Sequence, residues 1–260
     1  MTGTVLITGG SRGIGAATAR LAARDGYAVA INYRAEAERA EALVHDIHGD
    51  GGQAIAIRAD VSQQDQVRRL FQEVDQRLGR VSALVNAAGI NGGPATKVAD
   101  FEQPVLERLL AVNVIGTMLC CREAVRRMST AHGGGGGAIV NVSSMAAAIG
   151  GRPGRSAYAA SKAAIDSFTV GLAKEVAREG IRVNALRPGM TLTDMTDAVR
   201  RDAGLRARVA ATIAMNRCAA PEEMARPILW LLSDEASFIS GAIVDASGGG
   251  FMLAPVAASS

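Results

Sequence analysis

Thr8-Gly9-Gly10-Ser11-Arg12-Gly13-Ile14-Gly15 follows a short apolar run at 4–8 that reads as a strand, and it opens a segment with helical patterning at 13–25. Glycines in such a turn permit unusual backbone angles and close approach of a ligand. The helix N-terminus beyond them offers free N–H groups and the positive end of a dipole, a fit for a pyrophosphate. The strand–turn–helix setting is what a dinucleotide fingerprint requires. The spacing, however, is Gly9-x-x-x-Gly13-x-Gly15 and not the common G-x-G-x-x-G. A bare glycine turn would look similar, so the surrounding chain has to decide.

Outward from the turn, β-rich runs alternate with helical patterns. Strands are expected at 28–33, 53–59, 83–86, 138–142, 181–186 and 243–245. Helices are expected at 36–48, 64–78, about 104–128, 156–178, near 204–214 and at 221–232. Most of the strands are continuous apolar runs, as in strands buried on both faces. This predicts an α/β chain: a single-domain Rossmann fold over 1–260, with a doubly wound seven-stranded parallel sheet and helices on both faces. No boundary or repeat interrupts it, and the glycine run at 133–137 reads as a surface turn.

The 260 residues are 48% hydrophobic but only 3% aromatic, with 30 glycines, so the core packs small aliphatic side chains. A net charge of +3 with scattered arginines gives no concentrated patch for nucleic acid. Cys120, Cys121 and Cys218 lack metal-ligand spacing, as do His45, His48 and His132, so no metal site is expected. There is no visible signal peptide and no stretch approaches transmembrane length. The expectation is a cytoplasmic protein that does not engage membranes.

Tyr158 and Lys162 are four residues apart and Ser144 lies fourteen residues before the tyrosine. Four residues is about one helical turn, so both side chains leave one face. A phenol with a pKa of about 10 becomes a usable proton donor or acceptor if a neighbouring ammonium favours its phenolate. Ser144 could hold a carbonyl or alcohol oxygen beside it. Tyr-x-x-x-Lys alone is common by chance.

Together these motifs resemble the short-chain dehydrogenase/reductase family over essentially the whole chain. Gly9, Ser11, Arg12, Gly13, Ile14 and Gly15 look like its cofactor turn, and Asp60-Val61 like its adenine-contacting pair. Asn86-Ala87-Ala88-Gly89 looks like the motif ending its fourth strand, and Asn113 like its active-site asparagine. Pro188-Gly189, followed by Thr191 and Thr193, looks like its nicotinamide-side turn. The resemblance implies hydride transfer between nicotinamide and a carbonyl carbon, with Tyr158 as general acid and Lys162 lowering its pKa while holding the ribose hydroxyls. Ser144 would hydrogen-bond the reacting oxygen, Ser143 being the rival for that role, and Asn113 would hold a water. It also implies a homotetramer paired through the helices at 104–128 and 156–178. The segment between Ser144 and Tyr158 is one residue longer than in the commonest members. It carries Gly150-Gly151-Arg152-Pro153-Gly154-Arg155, which is assigned to the substrate pocket.

NAD-selective enzymes usually place an acid at the end of the second strand. Here Asn32-Tyr33-Arg34 stands there, and Arg34 with Arg12 could meet a 2′-phosphate, so NADP(H) is favoured over NAD(H). Substrate contacts are expected from 91–96, 145–155 and a mobile lid at about 190–216. The arginines at 152 and 155 read as solvated loop residues. By resemblance the substrate is a 3-oxoacyl thioester or other small ketone, with a glucose-type sugar dehydrogenase as the alternative. A reading from another class is a cofactor-sensing regulator without turnover.

Overall fold

The computed structural model describes residues 3–250. In chain order the elements are β1 (Thr4–Thr8), α1 (Gly13–Arg24), β2 (Ala28–Tyr33), α2 (Ala37–Gly49), β3 (Gln53–Arg58), α3 (Gln64–Leu78) and β4 (Val81–Asn86). Then come α4 (Gln103–Leu110), a π-helical turn (Ala111–Gly116), α5 (Thr117–Met128), β5 (Gly137–Val142), α6 (Met145–Ile149), α7 (Ser156–Val176) and β6 (Ile181–Pro188). The chain closes with α8 (Asp197–Arg201), α9 (Ala203–Ala210), α10 (Pro221–Leu232) and β7 (Ile243–Ala246).

The seven strands form one sheet in the order β3-β2-β1-β4-β5-β6-β7, every pair parallel. This is the doubly wound Rossmann arrangement. The order reverses between β1 and β4, so a crevice opens at their carboxyl ends, where Thr8 stands beside Asn86. Each central strand is buried on both faces. Leu6, Leu84, Ile139 and Val183 join a core with Phe71, Cys120, Cys121 and Leu172. Val5, Ile7, Val85 and Val140 join the opposite core with Ala19, Ala22, Ile228 and Leu231. Alternate residues of one strand feed opposite layers, which is why the strands read as unbroken apolar runs.

Three helical expectations change. The helix expected at 104–128 is interrupted by the π turn Ala111–Gly116, which contains Asn113. An extra residue per turn is rare in helices and usually serves a local requirement. Gly116 in this turn is packed so tightly that a Cβ would lie 2.8 Å from Val61 Cγ2. The helix expected near 204–214 is α9, which ends at Ala210 and follows the short α8; Asp202 between them caps α9 by accepting from the N–H of Leu205 at 2.9 Å. Gly204 lies in the first turn of α9. Finally, the rod Gln103–Met128 is 26 residues long, with a mean hydropathy of 1.5 over its most apolar window. By length and composition it could cross a membrane, contrary to the sequence expectation. In the fold it is a layer helix, with Val112, Cys120, Cys121, Ala124 and Met128 in the core. Its last turns carry buried Glu123 paired with Arg122, Arg126 and Arg127.

Candidate active site

The carboxyl ends of the strands enclose a cleft of about 600 Å³ that draws on the turn after β1, the ends of β2 to β6, α6, the start of α7 and the segment after β6. Its floor is the glycine turn. Gly9 has φ 63°, and a Cβ there would lie 2.8 Å from Ala88 Cα. At Gly15 a Cβ would lie 2.4 Å from the carbonyl oxygen of Gly9, so only glycine lets α1 start directly beneath the turn. Buried Asn32 organises this floor. Its carbonyl accepts from the N–H of Gly10 at 2.9 Å, and its Nδ2 donates to the carbonyl of Ala59 at 3.0 Å, joining the ends of β1, β2 and β3. The first turn of α1 has neither a side-chain cap nor an acidic residue. Its N–H groups therefore fit an anion such as the pyrophosphate of a dinucleotide.

At one end of the cleft lie Tyr33, Arg34, Asp60 and Val61, with exposed Arg12 and Arg34 at the rim. Asp60 is held by its own partners. Oδ1 accepts from the Ser62 hydroxyl at 2.7 Å and Oδ2 from Arg108 at 2.7 Å. Burial pushes this carboxyl up, but Ser62 and Arg108 together outweigh it and hold it below the usual carboxylate range. Arg108, from α4, was not foreseen, since nothing in the sequence links two positions 48 residues apart.

Ala87, Ala88 and Gly89 line the cleft where β4 ends, whereas Asn86 does not. The side chain of Asn86 turns into the layer beneath α5, donating to Asn141 at 2.9 Å and to Cys121 Sγ at 3.2 Å. That side chain makes a buried tie between strands, because strand alternation points it away from the crevice.

Ser144, Tyr158 and Lys162 come together at the middle of the cleft. Ser144 lies just beyond β5 in extended conformation and caps α6, accepting from Ala146 N at 3.1 Å. Its hydroxyl shares the middle of the cleft with the Tyr158 phenol. Ser143 is buried, its hydroxyl committed to the carbonyl of Lys162 at 3.2 Å. One turn along α7 from Tyr158, Lys162 places Nζ 6.0 Å from the phenol ring centroid and donates to the carbonyl of Val142 at 2.8 Å. Burial brings the lysine down to about 8, opposed by Asp166. Burial raises the Tyr158 phenol, and the groups that pull it back are Ser144 and Arg155.

Asn113 stands behind this group. Its Nδ2 donates to the Ile90 carbonyl at 2.9 Å and to the Ser161 hydroxyl at 3.0 Å, and its Oδ1 accepts from the Ile90 N–H at 2.9 Å. A Cβ on Gly89 would lie 3.4 Å from Lys162 Nζ and 3.5 Å from Asn113 Oδ1, in ordinary contact with both, so position 89 stands where the two residues converge.

The other end of the cleft is mostly apolar, with Ile90, Met145, Ile149, Met190 and Met195 among its walls. Arg155 is not a solvated loop residue. One guanidinium nitrogen donates to the carbonyls of Asn91 at 3.0 Å and Gly93 at 2.6 Å. Beyond β6, Pro188, Gly189, Thr191 and Thr193 line the cleft, and Thr193 lies over the turn, within 3.2 Å of a Cβ built on Gly13. Asp194 pairs with Arg39 of α2 and with Arg200 of α8. That link was also absent from the sequence reading, for the same reason of separation.

Residues 9–250 match the family described as enoyl-(acyl carrier protein) reductase. A protein of Escherichia coli K12 named uncharacterized oxidoreductase YgfF is 48% identical over 94% of this chain and 98% of its own. A 3-oxoacyl-[acyl-carrier-protein] reductase FabG of Staphylococcus aureus is 35% identical over 97% of this chain and 99% of its own. A crystal structure of a blue fluorescent protein from a metagenomic library in complex with NADPH superposes with a TM-score of 0.87. It is 32% identical and covers 95% of this chain and 97% of its own.

Proposed function

The chain belongs to the short-chain dehydrogenase/reductase family of oxidoreductases, and from that premise we propose that it moves a hydride between NADP(H) and the carbonyl or carbinol carbon of a small ketone or 3-oxoacyl thioester. The observation that carries this reading is the convergence of Ser144, Tyr158 and, on the next turn, Lys162 in one cleft with the glycine turn. Bound nicotinamide supplies or accepts the hydride. The protein's own groups handle the proton and the oxygen. In the reducing direction Tyr158 gives its proton to the carbonyl oxygen, and Ser144 donates to that oxygen as charge develops. Lys162 holds the ribose hydroxyls. Asn113, fixed on Ile90 and Ser161, orients a water that links Lys162 to solvent.

NADP(H) is favoured over NAD(H) because Arg12 and Arg34 flank the adenosine end and no acid ends β2. The NADPH complex of the metagenomic relative supports this. A ketone is favoured over a sugar because the substrate end is walled by Ile90, Ile149 and three methionines, which offer few donors or acceptors to a polyol. Intact Tyr158, Lys162 and Ser144 in one cleft argue against a regulator without turnover. The segment 190–216 serves as a lid held at its near end by the Asp194–Arg39 pair. A homotetramer is supported by exposed Ala160, Ala163, Ser167 and Gly171 along α7, next to exposed Ile115 and Met118. The test is a parallel screen at the NADPH absorbance with acetoacetyl thioesters, diketones, quinones, steroids and sugars. Turnover confined to sugars, or none at all, contradicts the proposal.

A further inference from the structure

The first acid after β2 is Glu36, the residue that precedes α2. An acid near this place commonly holds the ribose hydroxyls in NAD-selective enzymes. Here Glu36 lines the cleft beside Arg34, but its side chain does not cap α2. Its Oε2 lies instead 3.4 Å from Nε of Arg39, in the first turn of α2. A terminal nitrogen of the same guanidinium holds Asp194, from the segment after β6. Asp194 is presented by a fixed turn. The Thr196 hydroxyl accepts from the N–H of Thr193 at 3.0 Å and donates to the carbonyl of Thr191 at 2.6 Å. One arginine that does not itself line the cleft is thus paired with two carboxylates that do.

We propose that Arg39 is a specificity-determining residue for the cofactor's 2′-phosphate, acting by neutralising Glu36 and Asp194 and not by touching the phosphate. The proposal rests on reading the cleft as an NADP(H) site. Arg12 and Arg34 share this end of the cleft with the two carboxylates. Two positive charges against two negative ones leave no net attraction for a phosphate, and Arg39 tips the balance. Other charges nearby are already matched. Arg200 lies 3.6 Å from Asp194 Oδ1, but its Nε donates to Asp197 at 3.1 Å. Asp60 is answered by Arg108 at 2.7 Å.

Ion pairs as exposed as these contribute little to stability. Their effect on a bound phosphate is a different matter. A carboxylate left without its arginine repels a doubly charged group through water, and one unit charge about 8 Å from a dianion changes its affinity about fivefold at low salt. The same change leaves a ligand without the 2′-phosphate nearly untouched, because its remaining phosphate belongs at the glycine turn, further from Arg39.

The experiment is a calorimetric titration of the full-length chain at low ionic strength. The ligands are adenosine 2′,5′-bisphosphate and 5′-AMP, which lacks the 2′-phosphate. Arg39→Gln weakens the bisphosphate about fivefold and leaves 5′-AMP nearly unchanged. Binding of 5′-AMP also shows that the variant is folded. Arg39→Lys, which keeps the charge, binds the bisphosphate as the wild-type chain does. Combining Arg39→Gln with Glu36→Gln and Asp194→Asn restores the bisphosphate, because no unpaired carboxylate remains. Raised salt shrinks the difference between Arg39→Gln and wild type. An unchanged bisphosphate affinity in Arg39→Gln, or an equal loss for both ligands, overturns the proposal. A loss that the triple variant does not recover means that Arg39 holds the phosphate directly, which overturns the neutralising role. A wild-type chain that binds the two ligands equally counts against the NADP(H) reading. Whether the ratio of the two affinities falls in Arg39→Gln still decides the role of Arg39.

Discussion

The side chain of Asn113 closes a two-way pair of hydrogen bonds with the main chain of Ile90. Nδ2 donates to the carbonyl and Oδ1 accepts from the N–H, both at 2.9 Å. This ties a π-helical turn to the loop that leaves β4, and a third bond reaches Ser161 on α7. Replacing Asn113 by Ala leaves two main-chain groups and a hydroxyl short of partners in a buried place. The expected loss of stability is about 2–3 kcal/mol, together with lower kcat. Chemical denaturation and steady-state kinetics check both, and an Ala variant with wild-type stability would show that the pair contributes nothing.

Tyr158→Phe keeps the ring that lines the cleft and removes the proposed proton donor beside Ser144. Turnover falls by about a thousandfold, within the range for loss of a general acid. NADPH binding, followed by fluorescence, changes little. Retained turnover refutes the role of the phenol.

Lys162 gives a pH signature that does not depend on substrate. Its ammonium is brought from 10.5 down to about 8 by burial. Between those values the unfolded chain binds a proton that the folded chain does not, so stability rises with pH there. Below about 8 both states are protonated and the penalty of burying the charge is complete. Relative to Lys162→Met, the wild-type protein should gain stability as pH goes from about 8 to 10.5. Denaturation midpoints of the two proteins at several pH values test this; a constant difference between them contradicts it.

Arg34 and Arg108 should separate cofactor choice from cofactor binding. Arg34 stands exposed at the rim, so Arg34→Ala raises KM for NADPH by at least about tenfold and leaves that for NADH nearly unchanged, as loss of a charged pair to phosphate predicts. Arg108 reaches Asp60 and Ser62, so Arg108→Gln loosens the adenosine end and raises KM for both cofactors alike. Equal effects of Arg34→Ala on the two cofactors sink the assignment of a 2′-phosphate site.

Much of this molecule was legible in its sequence. The alternation of apolar runs and helical patterns specifies seven parallel strands, since strands buried on both faces have no polar side to display. The turn from Gly9 to Gly15 was legible because a positive φ and a 2.4 Å approach admit no other residue. Tyr158 and Lys162 share a helix face by spacing alone. What could not be read was each tie between distant positions. Asp60 to Arg108 spans 48 residues, Asn113 to Ser161 also 48, and Arg155 to Asn91 64. Asn86 was assigned to the crevice because its neighbours belong there, yet the pleat turns it to Asn141 and Cys121.

The division follows from what each kind of signal encodes. Periodicity, glycine positions and one-turn spacing are local, so the sequence by itself determined the layer order, the phosphate-binding turn and the serine, tyrosine and lysine of the cleft. Which loops meet across the carboxyl edge depends on strand register and crossover packing. Only the tertiary structure therefore decided that Asn113 rests on Ile90, that Lys162 turns to Val142, and that Arg155 binds the carbonyls of Asn91 and Gly93.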